Sequence, residues 1–174
     1  NLLIMVCPFS AFTLGIPLKS KTANAVLTAF MNSLYNFVNV KVVIADNGPA
    51  FSAVEFNEHL QLLGIKRVYI ANLHPESNSL AEAGVKRCKN LLKKFLATAS
   101  DYTWTEILPI LLKFINTAVM QNTKFAPLQL LYGQSENAKS NFNLELIPSP
   151  ILQENNESKI SKMTREINEL LKLA

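Results

Sequence analysis

Val40-Lys41-Val42-Val43-Ile44-Ala45-Asp46-Asn47-Gly48-Pro49 reads as a strand that runs straight into a turn. A near-continuous aliphatic run is expected where helices cover both faces of a sheet, the arrangement of α/β domains. Asn47, Gly48 and Pro49 break it sharply. The carboxylate of Asp46 therefore stands at the C-terminal edge of a strand, over the crevice where ligands of α/β folds bind. The plainer alternative is a turn aspartate that bonds its own backbone.

Working outward, strand-length apolar runs alternate with helix-like stretches, so the chain is of the α/β class. Upstream, Leu2–Val6 and Phe12–Leu18 form two strands joined by a turn at Pro8 and Ser10, and Thr22 caps a helix over Ala23–Tyr35. The core strand spans Val40–Ala45. Downstream, Ser52 is expected to cap a helix that ends near Leu63, with Gly64 at the C′ position. Lys66–Ile70 is a short strand and Asn72–Ser79 a polar loop. Leu80–Ala99 is a long helix, weakened by Gly84. A helix over Trp104–Thr117 is capped by Asp101 or Thr103 and contains Pro109. Pro127–Tyr132 makes a last short helix of the domain, with proline at its first position.

Residues 1–133 are one domain. Residues 134–157, rich in Asn, Ser, Glu and Pro, read as a linker. Residues 158–174 read as a helix with Ile160, Met163, Ile167 and Leu170 on one face. The chain opens on Asn1 inside a strand-like run, and the expectation is a fragment of something longer.

Composition excludes several classes. With 49% hydrophobic and 17% charged residues the chain is not a disordered segment. No apolar run approaches the roughly 18 residues of a membrane span, and no signal-peptide pattern precedes the first strand, so neither a membrane protein nor a secreted one is expected. Two cysteines, Cys7 and Cys88, are too few for a disulfide framework, and with His59 and His74 they lack zinc-ligand spacing. A reducing, intracellular compartment is the default expectation. The net charge of +4 is concentrated in residues 1–133, which hold 12 basic and 7 acidic side chains. Such an excess permits a polyanionic partner.

The second candidate carboxylate is Glu82, in the first turn of the long helix, where the helix dipole alone would favour an acid. The pair Asp46 and Glu82, with 35 residues between them, begins or ends regular elements. Two rigidly mounted carboxylates suit a hard divalent cation that also binds substrate phosphates. The helix then carries Lys86, Arg87, Lys89, Lys93 and Lys94, with no acid between Ala83 and Ser100. Lys86, Lys89 and Lys93 lie four, seven and eleven residues after Glu82, on one helical face. Lysines extending from a carboxylate site guide a phosphate backbone to it. The competing reading is a solvated face, which is usually mixed in sign.

The stretch Val43-Ile44-Ala45-Asp46-Asn47-Gly48-Pro49-Ala50-Phe51 resembles the second acidic motif of retroviral and long-terminal-repeat retrotransposon integrases, and His74-Pro75-Glu76-Ser77-Asn78-Ser79-Leu80-Ala81-Glu82 resembles their third. The interval matches the family's Asp-x35-Glu signature. Trp104–Pro109 and Phe125–Gly133 resemble flanking segments of the same family, so the likeness covers residues 1–133.

The resemblance implies a ribonuclease H-like fold, a mixed five-stranded sheet with helices on both faces. It implies metal-dependent polynucleotidyl transfer, in which DNA 3′ ends are trimmed and joined to a target strand. Asp46 and Glu82 match the second and third metal-binding acids, served by two Mg2+ or Mn2+ ions. Lys86 and Lys89 match positions that contact the element's DNA end, Lys93 extends their row, and Asn78 lies in the loop before the catalytic helix. DNA, both element ends and target, is the implied partner. A homo-oligomer is expected, as is action in the nucleus after passage through a cytoplasmic particle.

Three residues depart from the pattern or are missing from it. The family's first aspartate has no counterpart, because residues 1–45 contain no acid, and its strand is expected to be missing with it. Glu76 stands where glutamine is usual, and Ser79 where glycine is usual. The 174 residues alone are therefore expected to be catalytically inactive. A rival reading is a non-catalytic nucleic-acid-binding or assembly module derived from a decayed or host-adopted integrase. A nuclease acting on RNA–DNA hybrids is a third, disfavoured by the lysine spacing after Glu82 and by the Tyr132-Gly133 end segment.

Overall fold

The computed structural model describes residues 1–37, 39–69, 79–98 and 102–133. Asn78, His74, Asp101, the proposed linker at 134–157 and the proposed helix at 158–174 lie outside them. The elements are β1 (Leu2–Val6), β2 (Thr13–Pro17), α1 (Ala23–Ser33), a 3-10 turn (Leu34–Asn36), β3 (Val42–Ala45), α2 (Pro49–Ser52), α3 (Val54–Leu62), β4 (Lys66–Tyr69), α4 (Ser79–Thr98), α5 (Trp104–Thr117) and α6 (Pro127–Tyr132). No described helix is long and apolar enough to cross a membrane.

Strand β1 organises the layers because its side chains alternate between two cores. Leu3 packs with Val26, Leu27 and Phe30 of α1 and with Phe56 and Leu60 of α3. Leu2 and Ile4 pack against the opposite cluster, built from Cys88, Leu92 and Phe95 of α4 and Ile107, Leu111 and Ile115 of α5. Helices thus cover both faces, as expected for a mixed α/β fold of the ribonuclease H type. The long helix approaches β1 at Gly84, where an added Cβ would lie 2.7 Å from Val6 Cγ2. The glycine that weakens α4 as a helix is what lets it sit so close to the strand. Helix α5 is hooked to β2 by the buried Asn116, whose Oδ1 accepts from Thr13 N–H and whose Nδ2 donates to Thr13 O, both at 2.8 Å.

Among the described residues the strands form an antiparallel pair, β1 and β2, and a parallel pair, β3 and β4, so the mixed character of the sheet is present. Strands β1 and β3 border a groove. Three expectations are corrected. The core strand starts at Val42 and not at Val40, and only one of its faces is covered by described residues, since Val42 and Ile44 remain 48% and 44% exposed. Ser52 does not cap the following helix; it ends α2, and Ala53 in an extended conformation separates α2 from α3. Helix α1 ends at Ser33, whose hydroxyl bonds back to Ala29 O and Phe30 O, and the chain tightens into the 3-10 turn. Gly64 and Gly133 do take the left-handed conformation that ends a helix, at φ 66° and 67°.

Candidate functional site

Asp46 leaves β3 and is exposed. Its Oδ1 accepts from Gly48 N–H at 3.0 Å. The turn-aspartate reading is therefore realised in the geometry, and it holds one carboxylate oxygen while leaving the other unused by the turn. A Cβ on Gly48 would come within 3.0 Å of Asp46 Oδ1, so glycine there permits the close turn. The chain then enters α2, where Phe51 stacks edge-on against Phe56 with centroids 5.5 Å apart. The turn is pinned to the core within five residues of the carboxylate.

A second clamp was not legible in the sequence. Arg67 of β4 reaches across the turn. Its Nη2 donates to Asp46 O at 3.2 Å, while Nη1 donates to Asn57 Oδ1 at 2.9 Å and to the Phe51 carbonyl. The guanidinium lies 4.1 Å from the centre of the Tyr69 ring, and Tyr69 Oη donates to Asn57 Oδ1 at 3.4 Å. Arg67, Asn57 and Tyr69 are spread over two elements, and no local pattern marks them as a unit. The only available signal was an arginine in a short strand beside the candidate acid.

Glu82 lies in the first turn of α4 and is exposed. It and Asp46 line the same groove, a cleft of about 800 Å3 between β1 and β3. Lys86, Lys89 and Lys93 line that groove too, all exposed, on the face of α4 that carries Glu82. The opposite face of α4 supplies Cys88, Leu92 and Phe95 to the core. The groove thus gathers five of the six site residues expected from the sequence; the sixth, Asn78, lies outside the described residues. Among the described residues no group of three His, Cys, Asp or Glu side chains is placed to hold a metal. Two exposed carboxylates on one groove remain a donor set that fits a hard cation whose other positions go to water and phosphate oxygens.

The remaining candidates take the plainer roles. Cys88 is fully buried, and burial pushes its thiol above the ordinary value, with Arg87 opposing weakly. Packing, not reactivity, fits it. His59 Nδ1 lies 2.7 Å from Glu55 O within α3. Trp104 packs partly buried against the α4/α5 core.

Solved structures share this arrangement. The chain superimposes on the HTLV-2 integrase catalytic core domain in complex with magnesium with a TM-score of 0.66, at 24% identity, over 75% of this chain and 84% of that one. This is the fold of a retroviral integrase catalytic core. A chain of the simian T-cell lymphotropic virus intasome, in complex with PP2A regulatory subunit B56 gamma, matches the integrase-like core with a TM-score of 0.71 at 21% identity, over 88% of this chain and 52% of that one. In sequence, the integrase-like core is 28% identical over 137 residues to the Pro-Pol polyprotein of Simian foamy virus type 3 (strain LK3), a match covering 79% of this chain. It spans only 12% of that polyprotein's length. No protein-family model matches the chain.

Proposed function

We propose that this chain is the catalytic-core portion of a retroelement integrase, working in metal-dependent DNA 3′-end processing and strand transfer. The observation that carries the proposal is the groove that Asp46, Glu82 and the row Lys86, Lys89 and Lys93 line together. In this reading Asp46 and Glu82 hold one or two Mg2+ or Mn2+ ions. Bound ions of that kind activate an oxygen nucleophile and offset charge developing on a phosphoryl centre. The chain's own residues do the positioning. The Gly48 turn and the Arg67 clamp fix where the Asp46 carboxylate stands, and α4 carries Glu82 and the lysines as one rigid body. The lysine row supplies fixed positive charge along the path of a phosphate backbone. Asn78 is proposed to meet the same DNA just ahead of α4. The proposed site of action is the host nucleus, reached with reverse-transcribed DNA from a cytoplasmic particle, and the proposed working form is a homo-oligomer bridging two DNA ends.

The test is DNA binding by the chain as a function of salt. Three lysine–phosphate contacts give a slope of log K against log salt of about −3, and Lys89→Ala makes it shallower by about one. A slope unchanged by Lys89→Ala removes that row from the interface. Residues 1–45 supply no acid, and this favours a second reading for the 174 residues taken alone: a DNA-binding or assembly module without joining activity. Strand transfer by this chain in Mg2+ or Mn2+ would exclude that reading.

A further inference from the structure

Tyr69 closes β4 in register with Ala45, the residue before Asp46. Paired strands lie about 4.8 Å apart, so Tyr69 stands one strand away from the end of β3 that carries the candidate carboxylate. It stands on the far side of β3 from the groove, which no described residue of β4 lines. Asp46 therefore has the lysine-bearing groove on one flank and Tyr69 on the other.

The Tyr69 ring is held from two directions. The Arg67 guanidinium covers one face, 4.1 Å from the ring centre, and Oη donates to Asn57 Oδ1 at 3.4 Å. Arg67 is itself tied to Asp46 O and Asn57 Oδ1, so the ring rides on the clamp that holds the Asp46 turn. Even so, Tyr69 is 57% exposed. With one face on the cation, that exposure belongs to the opposite face and the edge. A ring fixed in advance loses little conformational freedom when a second flat group lands on it. The cation draws ring electrons toward itself, which favours an electron-rich partner on the open face. Phosphate gains nothing there, because a π face repels anions. The flat, electron-rich group of a polyanion steered by Lys86, Lys89 and Lys93 is a nucleobase. Within an intact duplex both faces of a base lie on its neighbours, so the base that meets Tyr69 is unpaired.

We propose that Tyr69 is a stacking platform for one unpaired nucleobase of the bound DNA, a purine before a pyrimidine because its larger face covers more of the ring. The proposal rests on the DNA-binding reading and adds a contact outside both the carboxylates and the lysine row.

The test uses the 174-residue chain and two end-labelled DNAs of equal charge. Both are the same duplex with a short single-stranded overhang; in one the overhang carries adenines and one 2-aminopurine, in the other abasic residues. Affinity is read by fluorescence anisotropy over a range of salt, and stacking by quenching of 2-aminopurine. Wild type is expected to bind the base-bearing overhang about tenfold more tightly, with the same salt slope for both DNAs, and to quench the probe. Tyr69→Leu is expected to abolish the tenfold difference, and Tyr69→Phe, which keeps the ring, to retain it. A purely structural role for Tyr69 would instead weaken both DNAs equally in Tyr69→Leu and overturn the proposal. Loss of the difference in Tyr69→Phe would assign it to the hydroxyl and overturn stacking. A readout independent of any variant is photocrosslinking of wild type to 5-iodouracil in the overhang: Tyr69 is the expected adduct, and adducts confined to other residues contradict it. Salt-dependent binding of both DNAs alike by wild type overturns this proposal and leaves the integrase reading standing, whereas absence of DNA binding overturns both.

Discussion

At the scale of single residues, the candidate site depends on where one carboxylate is held. Gly48→Ala places a methyl group 3.0 Å from Asp46 Oδ1. We expect divalent-cation affinity to fall while the thermal midpoint changes little, because the clash is with an exposed side chain; an unchanged affinity by titration would separate the turn from cation binding. Arg67→Ala removes donors to Asp46 O and Asn57 Oδ1 together, and should lower stability by about 1–2 kcal/mol in urea denaturation. Arg67→Lys should restore little of this, since an ammonium cannot span three acceptors in one plane. Cys88 gives a pH prediction. Its folded-state value is raised, so its contribution to stability is full below the ordinary thiol range and is lost as pH rises toward the raised value. Iodoacetamide at pH 8 should modify the partly exposed Cys7 and leave Cys88 intact in the folded protein; equal labelling by mass spectrometry would contradict its burial.

Elements meet through a few contacts that can be broken singly. Gly84→Val favours α4 slightly as a helix but drives a branched side chain into Val6, so α4 must shift from β1; about 1–3 kcal/mol of stability should be lost in thermal or chemical denaturation. Asn116→Ala strands the backbone N–H and C=O of Thr13 in the interior, at a cost of roughly 2–3 kcal/mol. Both positions show what was legible in sequence and what was not. The helices of 23–33, 104–117 and 127–132 follow from apolar spacing and from caps such as Thr103, whose N–H and hydroxyl both donate to the Glu106 carboxylate at 2.9 Å. Gly84, by contrast, reads in sequence only as a weak helix residue, because its reason is a strand 78 positions away. The aliphatic run at 42–45 correctly marks a strand. It overstates the burial, since periodicity reports what a strand can bury and not whether a neighbour is present. Arg67 was invisible as a clamp for the same reason: its acceptors come from Asp46, Phe51 and Asn57, which only the fold assembles.

For the whole molecule, one long helix serves two ends. Its inner face closes the α4/α5 core, and its outer face lays Glu82 and three lysines along a groove that also reaches Asp46. The spacing of Asp46, Glu82 and the lysines was readable in sequence because it depends on one helix and one strand end. The central claim is that the two carboxylates act on one cation, and Mn2+ binding to the intact chain tests it most directly. Wild type, Asp46→Asn, Glu82→Gln and the double variant are compared by electron paramagnetic resonance titration. The account predicts that either single substitution removes most of the affinity and that the double variant loses little more, as for two ligands of one ion. Losses that simply add, or Mn2+ binding indifferent to both substitutions, would contradict it.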